Sequence, residues 1–320
     1  MTFANRLSYA ASSLFVSMQK GLSYLPFWML YAIADLLFAL LYYIVRYRRH
    51  VVADNIDRVF TDKTPGERAR IVRQFYRNFA DSFVETIKLH HISDKQILKR
   101  LQYENIEILD QLLDQGRSVV CYFSHCFNWE WAPSITLWTA HKPGAGTVYS
   151  QVYRPLNNKP IDRLYLHLRS RFGSESFAKS HVLRDLIRVN RSGALNVCGF
   201  MSDQKPSHGD PTHLMRFLGQ PTAMITGTET LARKLKMSAV YMDIYKLRRG
   251  HYKVRMRMVA EYPEQLKPME LTERYASLLE NTIRRNPAIW LWSHKRWKYP
   301  VTLPPDYDLT HQPSAQPLHP

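Results

Sequence analysis

Cysteine is scarce in this chain of 320 residues, which has only Cys121, Cys126 and Cys198. Three cysteines make no paired framework and show no zinc spacing. Two of them fall in apolar, strand-like runs, which fits a reducing compartment. Glycine is thin as well, with 12 in all and none gathered into a phosphate-cradling loop, so no nucleotide motif and no metal ligand set is expected. Acidic residues are the third shortage: Asp and Glu number 27 against 44 Lys and Arg, a net charge of +17. That excess points to an anionic partner: nucleic acid, an acidic membrane surface, an acidic carrier protein or a phosphorylated substrate. Internal repeats and low-complexity linkers are also missing, so the polar part of the chain reads as one domain. Apolar material is plentiful, at 45% of residues, and rules out a disordered protein.

The longest apolar run is Phe27 to Val45, FWMLYAIADLLFALLYYIV, with Asp35 as its one charge. It is just long enough to cross a bilayer as a helix. Trp28 at one end and Tyr42, Tyr43 and Tyr47 at the other suit the membrane interfaces. Arg46, Arg48, Arg49 and His50 follow at once, which places everything after Val45 in the cytoplasm by the positive-inside rule. The positive cluster behind the apolar core, with no small-residue cleavage site, argues against a signal peptide. The competing reading is a buried or surface-lying helix, which the central Asp35 favours. The expected organisation is an amphipathic segment over 1–24, a membrane anchor over 25–46, a domain over 47–303 and a disordered, proline-rich tail over 304–320.

Thr64, Pro65 and Glu67 form a capping box, and Ile71, Phe75, Phe79, Phe83 and Ile87 then repeat every four residues as one apolar stripe of a helix. Val119 to Phe123, Leu195 to Phe200 and Ala239 to Tyr245 read as buried strands. Helical stretches, Val182 to Asn190 and Thr228 to Lys236, fall between them. Alternation of this kind predicts an α/β domain with a largely parallel sheet. Tyr252, Val254, Met256 and Met258 alternate with basic residues after a turn at Arg249-Gly250, giving a half-buried strand, and a last helix runs from about Thr272 to Arg285.

The strand Val119–Phe123 leads into Ser124-His125-Cys126-Phe127-Asn128-Trp129-Glu130-Trp131. On one helix His125 and Glu130 would lie ~140° apart. They can meet only if His125 sits in the loop at the strand's carboxyl end and Glu130 in the first turns of the next helix. Carboxyl ends of strands are where α/β sheets place their sites. A carboxylate there can fix the imidazole tautomer and leave the other nitrogen to take a proton from a hydroxyl. Cys126 as a thiol nucleophile is the weaker reading, because adjacent side chains diverge and nothing visible lowers its pKa.

The segment YFSHCFNWEW resembles the H-x-x-x-x-[DE] block of the lysophospholipid acyltransferase superfamily, in the form of the lipid A secondary (late) acyltransferases. Four further blocks resemble the same family in order: VYRPLNNKPIDRLYLHLRSRFG, MSDQKPSHGD, FLGQPTAMITGTETLARK and WLWSHKRWK. The resemblance spans roughly Tyr24 to Pro300. It implies a glycerol-3-phosphate acyltransferase-like sheet flanked by helices, behind an N-terminal membrane helix at the bacterial inner membrane. It also implies transfer of a fatty acyl group from an acyl carrier protein thioester to a 3-hydroxyacyl hydroxyl on a lipid A precursor, with no cofactor. Carried over, His125 is the general base and Glu130 its orienting carboxylate, while Arg154 meets a phosphate or the oxyanion. Asp203 is placed to approach His125 as a second carboxylate or to cap the turn at Lys205-Pro206. Gln204 and Lys205 face the headgroup, and Glu229 either contacts substrate or supports its own helix. Asn128, Arg296 and Trp297 are counted with the substrate-binding residues, and the block around Trp290, Trp292 and Trp297 suits a membrane interface or a core strand with a basic end. Ser124-His125-Cys126-Phe127 departs from the family's smaller residues after the histidine. The competing functions are acyl transfer to another lipid and a non-catalytic basic adaptor. Nucleic acid is disfavoured because the charge is spread along the chain and the aromatics lie in apolar runs.

Overall fold

The computed structural model describes residues 3–144, 146–305 and 307. All but residues 304, 305 and 307 of the expected disordered tail therefore lie outside the described residues. Four helices lead the chain: α1 (Phe3–Leu22), α2 (Phe27–Ala39, prolonged by a π-helical turn Leu40–Ile44), α3 (Arg49–Val59) and α4 (Pro65–Lys88). The capping box at Thr64 is formed, with Glu67 N on the Thr64 hydroxyl at 3.3 Å and Thr64 N on Glu67 Oε2 at 2.8 Å. The buried face of α4, however, is rotated from the expected stripe. Val72, Phe75, Tyr76, Ala80 and Val84 are buried, whereas Phe83 is 42% exposed. Polar residues Asn78, Asp81, Glu85 and Lys88 are drawn in on the same face, because each finds a hydrogen bond or ion pair there.

The α/β part follows as α5 (Asp94–Arg100), β1 (Leu101–Glu104), α6 (Glu107–Asp114), β2 (Val119–Phe123), a 3₁₀ segment Trp129–Leu137, β3 (Thr147–Tyr153), α7 (Lys159–Ser170), β4 (Glu175–Ala178), α8 (Val182–Arg191) and β5 (Leu195–Met201). A hairpin of β6 (Thr212–Phe217) and β7 (Gln220–Ile225) precedes α9 (Gly227–Lys234), β8 (Ser238–Arg248), β9 (His251–Ala260) and α10 (Glu270–Arg285). Seven strands form one sheet in the order β1-β9-β8-β2-β5-β3-β4. Within this sheet, among the described residues, β8 and β9 are the one antiparallel pair. The expected α/β fold with a mostly parallel sheet flanked by helices is therefore present.

β2 and β5, at the centre, are apolar almost throughout because helices cover both faces of a parallel sheet. They pair in register from Val119↔Val197 to Phe123↔Met201. The chain leaves both strands at the same edge, and His125 and Asp203 each lie two residues beyond that last pair. Gly199 on β5 has a packing reason: a Cβ there would meet the Phe123 ring at 2.9 Å.

Candidate active site

His125 sits in the loop after β2, as expected, and its side chain is 17% exposed. The carboxylate that its ring meets is Asp203, not Glu130. His125 Nδ1 lies 2.7 Å from Asp203 Oδ1, and the His125 backbone N–H donates to Asp203 Oδ2 at 2.9 Å. Trp290 Nε1 donates to the same Oδ2 at 2.8 Å. An ionised carboxylate only accepts, so the proton of this pair belongs on Nδ1, which leaves Nε2 with its lone pair. Asp203 is fully buried. Burial works to raise its pKa, but the electrostatic pull of His125 and three hydrogen bonds outweigh it and hold the carboxyl below the usual range.

Glu130 lies in the 3₁₀ segment, where it forms a forked ion pair with Arg169 of α7: Nε to Oε2 at 2.9 Å and NH2 to Oε1 at 2.7 Å. Trp129 Nε1 adds a bond to Oε1 at 3.1 Å. With those oxygens taken, Glu130 shares no hydrogen bond with His125. The expectation that spacing would pair the two fails because the guanidinium fork is the stronger partner. Burial opposes the Arg169 charge, but the Glu130 carboxylate more than compensates and raises the guanidinium pKa. Arg169 lies inside the second sequence block, which also holds Arg154.

His125, Glu130 and Arg169 line a cavity of about 760 Å³. Gln204, Lys205 and the exposed Arg154 also line it. Its walls also include buried Cys121, Ile135 and Val197, so the lining is both polar and apolar. The His125 ring stands edge-on to Trp129 at 5.3 Å between centroids. Among the described residues no group of histidine, cysteine and acidic side chains could hold a metal ion.

Four expected substrate-facing residues are turned into the protein instead. Asn128 is buried and donates to Glu85 Oε2 at 3.0 Å. Glu229 accepts from Met269 N at 2.7 Å, Thr272 N at 2.9 Å and Thr272 Oγ1 at 2.6 Å, and so caps α10, whose N-cap residue offers no side-chain acceptor of its own. Arg296 is 4% exposed and donates to the Ala223 carbonyl at 2.9 Å; burial pushes its pKa down to about 10. Trp297 donates to Thr222 Oγ1 at 2.8 Å. The tryptophan-rich block is therefore core and scaffold, with Trp290 and Trp292 buried, and its link to chemistry runs through Trp290 to Asp203. His294 accepts the Lys205 backbone N–H at Nε2 at 3.1 Å, and burial holds its pKa near about 4, so it stays neutral and fixes the turn after Asp203. Cys126 is buried and burial pushes its thiol pKa up, away from nucleophilic use.

The family model for bacterial lipid A biosynthesis acyltransferases matches residues 2–299. Among curated relatives, the lipid A biosynthesis lauroyltransferase of Escherichia coli K12 is 23% identical over 278 residues, 86% of this chain and 87% of the relative. The lipid A biosynthesis palmitoleoyltransferase of the same organism is 21% identical over 253 residues, 78% of this chain and 79% of the relative. A lipid A biosynthesis acyltransferase of Haemophilus influenzae is 19% identical over 239 residues, 74% and 72% of the two chains. With nearly its whole length matched, this chain belongs to the bacterial lipid A biosynthesis acyltransferase family and is an acyltransferase.

Proposed function

We propose that this enzyme moves a fatty acyl group from an acyl carrier protein thioester to the hydroxyl of a 3-hydroxyacyl chain on a lipid A precursor. It does so at the bacterial inner membrane, with the α/β domain on the cytoplasmic side and in a glycerol-3-phosphate acyltransferase-like fold. The observation that carries the reading is the His125–Asp203 pair beside a cavity lined by both polar and apolar residues. His125 Nε2 takes the proton of the acceptor hydroxyl as its oxygen attacks the thioester carbonyl. A C–O bond forms, the carbonyl oxygen gains charge, and the C–S bond then breaks. The imidazolium returns its proton to the departing thiolate, so the enzyme ends as it began. Asp203 keeps Nε2 directed at the cavity and stabilises the imidazolium. The apolar walls receive the acyl chain, while Arg154, Gln204 and Lys205 receive phosphate or sugar oxygens. The Glu130–Arg169 pair holds α7 against the 3₁₀ segment and so sets the wall that shapes the reacting site.

The test is mass spectrometry of lipid A from cells with the gene deleted, and from the same cells carrying either the wild-type gene or His125→Ala. Lipid A short of one acyl chain, restored by wild type and not by His125→Ala, is the expected result. An unchanged lipid A with a different under-acylated lipid would move the reading to another acceptor.

A further inference from the structure

The segment Phe27–Ile44 is long and apolar enough to cross a membrane. Its 18 residues extend about 27 Å, close to the ~30 Å of a bilayer's hydrocarbon core. Its packing argues for another placement. Leu30, Ala34, Phe38 and Tyr42 form one buried stripe. On the opposite side Trp28, Leu36, Leu40 and Ile44 form a second apolar stripe, 71%, 73%, 43% and 74% exposed.

α4 lies against the buried stripe and runs antiparallel along the whole segment. Lys88 Nζ donates to the carbonyls of Ser23 and Leu25 at 2.9 and 2.8 Å, beyond one end. Tyr31 donates to Glu85 at 3.0 Å, and Arg77 stacks on the Phe38 ring at 5.2 Å. Tyr76 donates to the Tyr47 carbonyl beyond the other end. Midway, Arg249 of the β8–β9 turn bridges Asp35 and Asp81, with NH2 contacts of 2.8 and 2.7 Å. Gly250 completes that seat, since a Cβ there would lie 1.8 Å from the Tyr31 hydroxyl. Any bilayer crossed by α2 would also have to contain α4 and the charged turn. Exposed Arg73 and Arg77 on α4, and the Asp35–Arg249–Asp81 cluster at mid-length, exclude that.

We infer that α2 lies in the plane of the membrane with its exposed stripe in one anionic phospholipid leaflet, and that the chain does not cross the bilayer. Exposed Lys20 before the segment and Arg46 and Arg48 after it flank the stripe with the charge that anionic headgroups attract. The membrane surface is the occupant that fits an apolar stripe bounded by cations on a face that no other part of the described chain covers. This goes beyond the acyl-transfer reading, which is compatible with either placement, so the two fail separately.

The test uses the full chain with a protease-cleavable epitope tag at each end, expressed in bacterial inner membranes. Protease added to inside-out vesicles is expected to remove both tags, and protease added to spheroplasts neither. Removal of the N-terminal tag from spheroplasts would show a crossing helix and overturn the inference. A second measurement uses purified protein and phosphatidylglycerol vesicles. Leu36→Glu with Leu40→Glu, both at exposed positions, should weaken binding at least tenfold with an unchanged melting temperature. Phosphatidylcholine vesicles should bind the wild type at least tenfold more weakly than phosphatidylglycerol. Equal binding in either comparison contradicts the in-plane anionic contact.

Discussion

Glu85 is buried completely and holds three hydrogen bonds, from Tyr31, Asn128 and Tyr252. It therefore ties the loop of His125, through Asn128, to the N-terminal helices. Burial raises its pKa to about 7, against the opposing pull of Lys246. The sign of the consequence follows from linkage. The native state holds a proton that the unfolded chain has released between about pH 4.5 and about pH 7, so stability falls as pH rises through that window and levels off above it. Glu85→Gln imitates the protonated side chain and should flatten this dependence. Melting temperatures recorded in detergent across that window check it, and an unaltered slope in the variant would mean another group titrates there. Neither Glu85 nor Arg169 was legible in the sequence as a site residue, because a charged residue on an amphipathic helix reads as solvated until its neighbours are known. Asp203 was legible only as one of two options, since the in-register ending of β2 and β5 that brings it to His125 is a property of the sheet. Glu130 misled in the opposite direction: its spacing from His125 is right for the family block, yet its oxygens are taken by Arg169 and Trp129.

Elements were legible where they are apolar and long. β2, β5, β8, β9, α8 and α10 follow runs or periods that only one structure satisfies. β3, with Ser150 and Gln151 at its centre, has no continuous apolar run, and edge strand β4 is four residues long, so neither carried a signal. The β6–β7 hairpin turns on Leu218 and Gly219, both at positive φ (53° and 77°), with leucine where such turns usually show asparagine or glycine. The cap of α10 is also a long-range feature: Glu229 of α9 supplies the acceptors that Met269 cannot. Glu229→Ala should cost about 1.5–3 kcal/mol of stability, the range for hydrogen bonds to a charged group. Thermal unfolding checks this. Loss of activity with no change in melting would return Glu229 to the substrate side.

At the scale of the molecule, arginines tie separate elements together through acidic side chains and carbonyls. Arg257 and Arg285 close on Asp243, Arg249 on Asp35 and Asp81, and Arg233 caps the carbonyls of Pro263, Leu266 and Lys267. Basic residues also stand at the ends of α2 and, as Arg154 and Lys205, around the cavity. The N-terminal helices, the loop of His125 and the tryptophan block thus form one scaffold around the β2 and β5 ends, fixed by Phe127 N to the Ile289 carbonyl at 2.9 Å and Trp290 to Asp203 at 2.8 Å. In the proposed mechanism His125, held by Asp203, removes the acceptor's proton. The most direct test is the single-turnover rate of acyl transfer from acyl carrier protein to a lipid A precursor by purified Asp203→Asn enzyme whose unfolding remains cooperative. Loss of the carboxylate that fixes the tautomer should lower this rate by roughly 10²–10⁴-fold. A rate within about threefold of wild type, outside the range expected for a positioned base, would contradict the account and return the role to Glu130.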